Sequence, residues 1–471
     1  MILAACIVVL ILFVASARFW RVAVWAALVL MIYEGALRKW LLPQFQEQIY
    51  FLKDLLLLGA YLGCFFGSRL MRNRPIVPRY GTDRTVRINW IVAIFACFCF
   101  LQMLNPRLPN WKVGLYGFAS YLIYIPLMYI VPDLLPDERT FRRFVTLALI
   151  VCAVPLALGV VQFNLPPDHL LNRYAWSDQS VATFGSADHA RVTSTFSYIT
   201  GYSTFLVALG VFLLAAIAVE RRTYIAVAKF ALLLLTAANL LMTGSRGAVA
   251  QFALALPAFL WLAISRTEMN RAKVVIAGAV ASVLVAAGVL TFFPEAHQAF
   301  TERAAAHTSE NIDRVVQLAS GPMDSAQQGG WTGYGIGATL PGSAFLYGPA
   351  TSADGPPWVE AELEHVIIET GMVGLLLTLA LRVLVPLGLF QCLRSGPFFN
   401  LRPWLVAALI FVALNLPMQI IVSRTAGMLY WFMAGLAFLP ARWALSETQE
   451  SCRLVHGCPQ GATKTAAGGA C

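Results

Sequence analysis

Charge is scarce in this chain. Of 471 residues only 12% are Asp, Glu, Lys or Arg, while 59% are hydrophobic; an average soluble domain is about 25% charged. A soluble core could not hide that much apolar surface, so a soluble globular class is excluded. A bilayer hides it, provided each crossing segment satisfies its own backbone hydrogen bonds. Other things are missing too. None of the nine cysteines falls in a loop expected outside: Cys6, Cys64, Cys97, Cys99, Cys152 and Cys392 sit in apolar runs and Cys452, Cys458 and Cys471 in the C-terminal tail. That excludes a disulfide framework, and no metal-ligand spacing occurs. No basic segment precedes the first apolar run, which is therefore read as a retained span rather than a signal peptide. No internal repeat of fixed period is present.

What the chain has is a series of apolar runs. About 20 apolar residues in a helix cross the hydrocarbon layer. Runs of that kind fall at roughly 1–17, 22–36, 51–67, 88–104, 113–131, 144–164, 201–219, 224–242, 247–264, 274–293, 366–390, 403–421 and 426–440. The expected fold is all-α, a polytopic transmembrane helix bundle of about 12–13 spans over residues 1–440. A tail over 441–471, ending GCPQGATKTAAGGAC, is expected to be disordered and cytoplasmic.

Basic residues fix the expected orientation. With the N-terminus outside, the inside loops hold 21 of the 34 basic residues, the outside segments 11, and Lys229 and Arg382 lie within spans near the inner ends. The run SRLMRNRPIVPRYGTDRTVR is the strongest inside anchor. The net charge of +10 thus reads as topology and contact with anionic lipid, not as nucleic-acid binding. Two outer segments, about 165–200 and 294–365, are too long for simple turns. The second, between spans 10 and 11, contains an amphipathic stretch, EAHQAFTERAAAHTSENIDRVVQLASG, expected to lie as a helix along the membrane surface.

Four arginines fall at outer span ends, the side the positive-inside rule disfavours: Arg38 in EGALRKWLLP, Arg191 in RVTSTF, Arg246 in TGSRG and Arg424 in VSRTAG. Each alone reads as an interfacial arginine with its head in water. Together they point to an anionic ligand, because a guanidinium fork matches two phosphate oxygens at once. GYGIGA at 333–338 has no preceding strand and reads as a compact backbone turn, not a dinucleotide fingerprint. PWVEAELEHVIIETGMVGLLL follows at 357–377. Read as one helix, it sets Glu360 and Glu364 on one face, and pairs His365 with Glu362 and with Glu369. Acids at a solvated helix start account for Glu360 and Glu362. They do not account for Glu369, which is about to enter the apolar run, where an acid marks function by default.

These features in this order resemble the bacterial O-antigen ligase and O-antigen polymerase superfamily. The resemblance rests on Arg191 to Phe196 before a span, on Ser245-Arg246-Gly247 opening a span, and on the Gly333–Gly337 turn leading to Glu369-Thr370-Gly371 and Gly374. It covers roughly residues 190 to 390. It implies transfer of a glycan from a polyprenyl-diphosphate-linked oligosaccharide to a glycan acceptor at the periplasmic face of the inner membrane, alongside other polysaccharide-assembly proteins. It further implies Arg191, Arg246, Arg424 and Arg38 on the diphosphate and Glu360, then His365, as general base, with Glu364 and Glu369 beside them. Ligases of the family carry a His-Asn about nine residues before the Glu-Thr-Gly; here Glu360 holds that place and His365 stands four residues before Glu369. No Asp-x-Asp pair stands in the outer loops, so a metal-independent, cofactor-free route is expected. The competing classes are a transporter or flippase of lipid-linked saccharides, for which midplane charges are expected, and a non-catalytic subunit of a polysaccharide assembly complex.

Overall fold

The computed structural model describes residues 2–70, 83–175, 181–184, 189–264, 271–306, 320–343, 346, 359–395 and 399–444. Those residues are helical apart from turns, loops and one isolated bridge, Thr183 to Ala190. The helices are α1 (Ile2–Arg18), α2 (Trp20–Ala36), α3 (Gln46–Leu62), α4 (Asp83–Met103), α5 (Trp111–Leu122), α6 (Leu127–Leu134), α7 (Glu138–Phe163), α8 (Ile199–Ala218), α9 (Thr223–Met242), α10 (Arg246–Ile264), α11 (Arg271–Phe292) and α12 (Pro294–Ala306). They continue as α13 (320–329), α14 (Glu362–Ser395), α15 (Arg402–Leu414) and α16 (Arg424–Gly435). Side chains set several starts: Asn110 accepts from the amides of Lys112 and Val113, Asp137 from Thr140, and Ser423 from Ala426. Such caps satisfy donors that a helix start leaves open.

The chain is a multi-pass membrane protein. Seven helices among the described residues are long and apolar enough to cross a membrane, or nine if each of two bent pairs is one span. The thirteen runs become fewer full spans for local reasons. The run at 113–131 breaks into α5 and α6 with a 44° bend before Pro126, which cannot continue a hydrogen-bond ladder. The runs at 88–104 and 403–421 yield shorter apolar helices, Ile88–Met103 and Arg402–Leu414. The amphipathic stretch opens as a helix, α12, which turns 102° from α11 at Pro294. Its continuation through 307–319 lies outside the described residues, as does the tail from 445. Residues 439–444 are helical after a 3-10 turn at 436–438, with the Trp443 indole donating to the Leu135 carbonyl at 2.9 Å.

The core centres on α8, whose apolar window is 78% buried, with α9, α10, α15 and α16 packed around it. By contrast α7 leaves Leu147, Ile150, Val154 and Val161 exposed on one stripe at helical spacing, as a lipid-facing helix does.

Contacts between loops sort the bundle into two ends. At one, Asn110 meets Leu346, Gln102 meets Thr332, Trp40 meets Leu170, Arg191 meets Thr243 and Gln419 meets Glu360. At the other, Lys229 meets Glu220, Arg402 meets Leu262, Asn400 meets Glu138 and Arg442 meets Asp133. The first group joins segments that the charge distribution assigns outside, the second those it assigns inside.

Candidate active site

The Glu-Thr-Gly sequence is a break in a helix. Gly371 in α14 has φ 68° and ψ −171°, a conformation only glycine takes cheaply. A Cβ there would also overlap the Trp331 main chain. The limb 362–370 therefore ends at Gly371 and the limb 372–395 begins beyond it. The ending limb leaves carbonyls without helical partners. The glycine turn supplies them: Tyr334 N donates to Ile368 O and Gly335 N to Glu369 O, both at 2.8 Å. Gly333, Gly335 and Gly337 all have positive φ, so the turn needs its glycines. GYGIGA is thus the compact turn its sequence suggests.

The fold-back at Gly371 explains an ion pair. Glu362 and Arg382 are twenty residues apart, about 30 Å along a straight helix, yet their side chains pair in the interior, 0% and 3% exposed. The second Glu362 oxygen accepts from Ile421 N at 2.9 Å and Val422 N at 3.1 Å. Arg382 also donates to Leu416 O at 2.9 Å. Glu362 is therefore not a solvated helix-start acid, and Arg382 is not an inner-end residue.

The remaining acids separate. Glu360 precedes the helix, which begins at Glu362, so Glu360 and Glu364 do not share a helical face; Glu360 is exposed. Glu364 is buried against Gly321 of α13, and its Oε1 has no hydrogen-bond partner among the described residues. Glu369 is fully buried and accepts three bonds: from Gly337 N at 3.0 Å, from Thr339 N at 2.7 Å and from Thr339 Oγ1 at 2.9 Å. His365 Nδ1 lies 2.7 Å from the same Thr339 Oγ1. His365 and Glu369, expected to pair one helical turn apart, are instead bridged by the Thr339 hydroxyl.

The arginines form two groups. Arg191 leaves the Thr183–Ala190 bridge and donates from Nε to Thr243 O at 2.9 Å, in the turn that leads to Arg246. Arg303, on α12, donates to Thr183 O at 3.1 Å, and α12 packs on α9, which runs into that turn. Burial, and then the neighbouring Arg303 and Arg246 charges, push the Arg191 guanidinium below its ordinary range. The Tyr174 phenol beside them is pushed up to about 12, chiefly by burial. Arg191 has no carboxylate partner among the described residues. In the sequence Arg303 reads as one more charge of an amphipathic stretch.

Arg38 and Arg424 lie together elsewhere, both over the Tyr50 ring at 4.9 and 4.6 Å. Arg38 pairs with Glu34 at 3.3 Å, Lys53 pairs with the same carboxylate, and Arg424 pairs with Asp54, which also accepts from Tyr124 at 2.7 Å. Arg424 further faces Phe51 and Tyr116. This network backs the Arg191–Ser197 segment. Arg38 donates to Ser197 Oγ at 2.8 Å, and buried Lys39 donates to Thr193 Oγ1 and Ser194 O. Ser194 has φ 47° and is held by Gln162 and by the Pro155 carbonyl, a strain that surrounding structure must impose. The sequence reading expects all four arginines on one diphosphate; the structure instead pairs Arg38 with Glu34 and Arg424 with Asp54, while the cations acting on Arg191 are Arg303 and Arg246.

Among the described residues no three His, Cys, Asp or Glu side chains converge as a metal-ligand group. The protein-family profile described as O-antigen ligase matches residues 230–379. The match bears out the resemblance to O-antigen ligase superfamily membrane proteins and implies a glycosyl-transferring enzyme of glycan assembly. It includes Arg246, the glycine turn, Glu360, Glu364, His365 and Glu369; Arg38, Arg191 and Arg424 lie outside it. No curated protein matches the chain.

Proposed function

We propose, with the O-antigen ligase region over 230–379 as premise, that this protein is a membrane glycosyltransferase. It transfers glycans from a polyprenyl diphosphate at the periplasmic face of the bacterial inner membrane, polymerising or ligating repeat units of a surface polysaccharide. The observation that carries this reading is the convergence of Arg191, Arg246 and Arg303 at one end of the bundle, with Arg191 lacking a carboxylate partner. Three such charges suit a diphosphate, and amides at the start of α10 add to them.

The acceptor hydroxyl attacks the anomeric carbon. The new acceptor O–C bond forms as the C–O bond to the diphosphate breaks, and the diphosphate leaves with the electron pair. That leaving group needs charge stabilisation more than a proton, which arginines supply without a metal. The acceptor proton needs a base. We assign it to His365, at the end of the bundle that carries the arginines, and keep Glu360, exposed at the helix start, as the second candidate.

The test is the glycan profile of a host lacking this gene, complemented at matched membrane expression. Arg191→Ala, Arg246→Ala and His365→Gln are expected to abolish product, and Arg246→Lys to impair it because a point charge replaces a fork. Loss of long polymer with accumulation of lipid-linked repeats identifies a polymerase; free polymer no longer attached identifies a ligase. A normal profile from the arginine variants overturns the reading. A normal profile from H365Q with an abnormal one from Glu360→Gln transfers the base to Glu360.

A further inference from the structure

Thr339 stands between a buried carboxylate and the histidine assigned as base. Its hydroxyl has one hydrogen and two neighbours: Glu369 Oε1 at 2.9 Å and His365 Nδ1 at 2.7 Å. Glu369 receives two further donors, the amides of Gly337 and Thr339. These donors favour the ionised form of Glu369 against the cost of its burial, and an ionised carboxylate can only accept. The Thr339 hydrogen is therefore committed to Glu369. The Thr339 oxygen is then an acceptor, and the short contact with His365 Nδ1 is a bond only if that nitrogen carries the proton. In neutral imidazole the other nitrogen, Nε2, is then bare.

We infer that Glu369 and Thr339 form a relay that fixes the tautomer of His365, with the proton on Nδ1 and Nε2 left as the proton-accepting atom. The inference rests on the reading of His365 as base. Thr339 and Glu369 are positioning residues, since neither is required to touch substrate. The backbone explains how a residue 26 positions away reaches His365. The glycine turn docks on the end of the 362–370 limb through Tyr334 and Gly335, and that docking carries Thr339 onto the face shared by His365 and Glu369. The acid near the apolar run thus has a role without being the base. At metal-bound histidines the partner of the second nitrogen sets ring orientation and basicity, and its loss costs about 10–100-fold; we expect a loss of the same order here.

The relay is tested with full-length protein carrying ¹⁵N-histidine, among whose six histidines the His365 signal is assigned by its absence in His365→Gln. Transfer is followed with a synthetic polyprenyl diphosphate glycan. Wild type is expected to show Nδ1 protonated and Nε2 bare. Thr339→Val keeps both backbone bonds to Glu369 but removes the hydroxyl. It is expected to lose the single tautomer and to lower kcat about 10–100-fold with the donor KM little changed. Thr339→Ser is expected to restore tautomer and rate. A wild-type spectrum with the proton on Nε2 overturns the relay, and it does so even if the valine variant does not fold. An inactive H365Q with T339V matching wild type in tautomer and kcat overturns the relay but leaves His365 as base. Full transfer by H365Q overturns the base itself, and the relay's functional meaning with it.

Discussion

Two Glu–Arg pairs on helices, Glu362–Arg382 and Glu138–Arg142, are the same chemistry in opposite settings. Glu138 and Arg142 are one helical turn apart at the start of α7, 42% and 74% exposed, with the carboxylate bonded to the guanidinium at 2.6 Å. Such a pair forms on any exposed helix and leaves both groups in contact with water or headgroups. Glu362 and Arg382 are 0% and 3% exposed and meet only because Gly371 folds the chain back. The first pair belongs to the end where the sequence concentrates its arginines, which the positive-inside rule would assign to the inside. The second belongs to the end where Glu34, Arg38, Lys39, Lys53, Asp54, Glu369 and Arg424 are all buried. Burying so many charges is costly unless each is paired or hydrogen-bonded, so that end is built around them, whereas at the other, among the described residues, only Asp133, paired with Arg442, is buried.

The contrast is broken most severely at the buried pair. Arg382→Met leaves the Glu362 carboxylate buried without its cation, and such deletions cost about 3–5 kcal/mol. Thermal inactivation of the purified protein in detergent should show a large loss for R382M; a variant as stable as wild type would mean the pair is not closed. Next comes the hinge that brings the pair together. Gly371→Ala meets both an unfavourable φ and the Trp331 main chain, and we expect a loss of roughly 2–4 kcal/mol, within the range of strained and overpacked sites. It should also weaken the docking of the glycine turn, read as faster hydrogen exchange at Tyr334 and Gly335.

At the arginine cluster the effect moves from stability to activity. On the proposed function, Arg303→Ala removes one charge-assisted contact to the diphosphate, about 2 kcal/mol, or roughly thirtyfold in kcat/KM, beside the smaller stability cost of its lost bond to the Thr183 carbonyl. The comparison with Arg191→Ala, expected to cost more, ranks the two. Equal stability and equal kcat/KM for R303A and wild type would confine the clamp to Arg191 and Arg246.

The sequence made some of this legible and hid the rest for identifiable reasons. The sorting of loops to two ends follows from where arginines fall between apolar runs, and the contacts of Asn110, Trp40 and Gln419 agree with it. The glycine turn and the odd position of Glu369 were also visible. Their relation was not, because the amides and hydroxyl that Glu369 accepts belong to residues 30 and 32 positions away. Treating 357–377 as one helix put Glu360 on a face with Glu364 and made Glu362 a solvated acid; only the conformation of Gly371 shows that the segment turns back and buries Glu362. Arg303 does not stand out because an amphipathic stretch contains charges as a matter of course; Pro294 marks the break after α11, but nothing local gives the 102° bend that sends α12 toward Arg191.

The smallest effect is the control that gives the comparison its meaning. Arg142→Ala removes the exposed partner of Glu138. Exposed pairs one turn apart contribute about 0.3–0.5 kcal/mol, so R142A should match wild type in thermal inactivation and in transfer. Its remaining consequence is topological, since Arg142 is one of three arginines, with Arg139 and Arg143, at this start of α7. Labelling of an engineered cysteine in the adjoining loop should find the orientation unchanged by R142A alone and disturbed when all three are replaced. A substantial stability loss from R142A would show that charge at this end is also built into the fold, and the distinction between the two ends would then be one of degree.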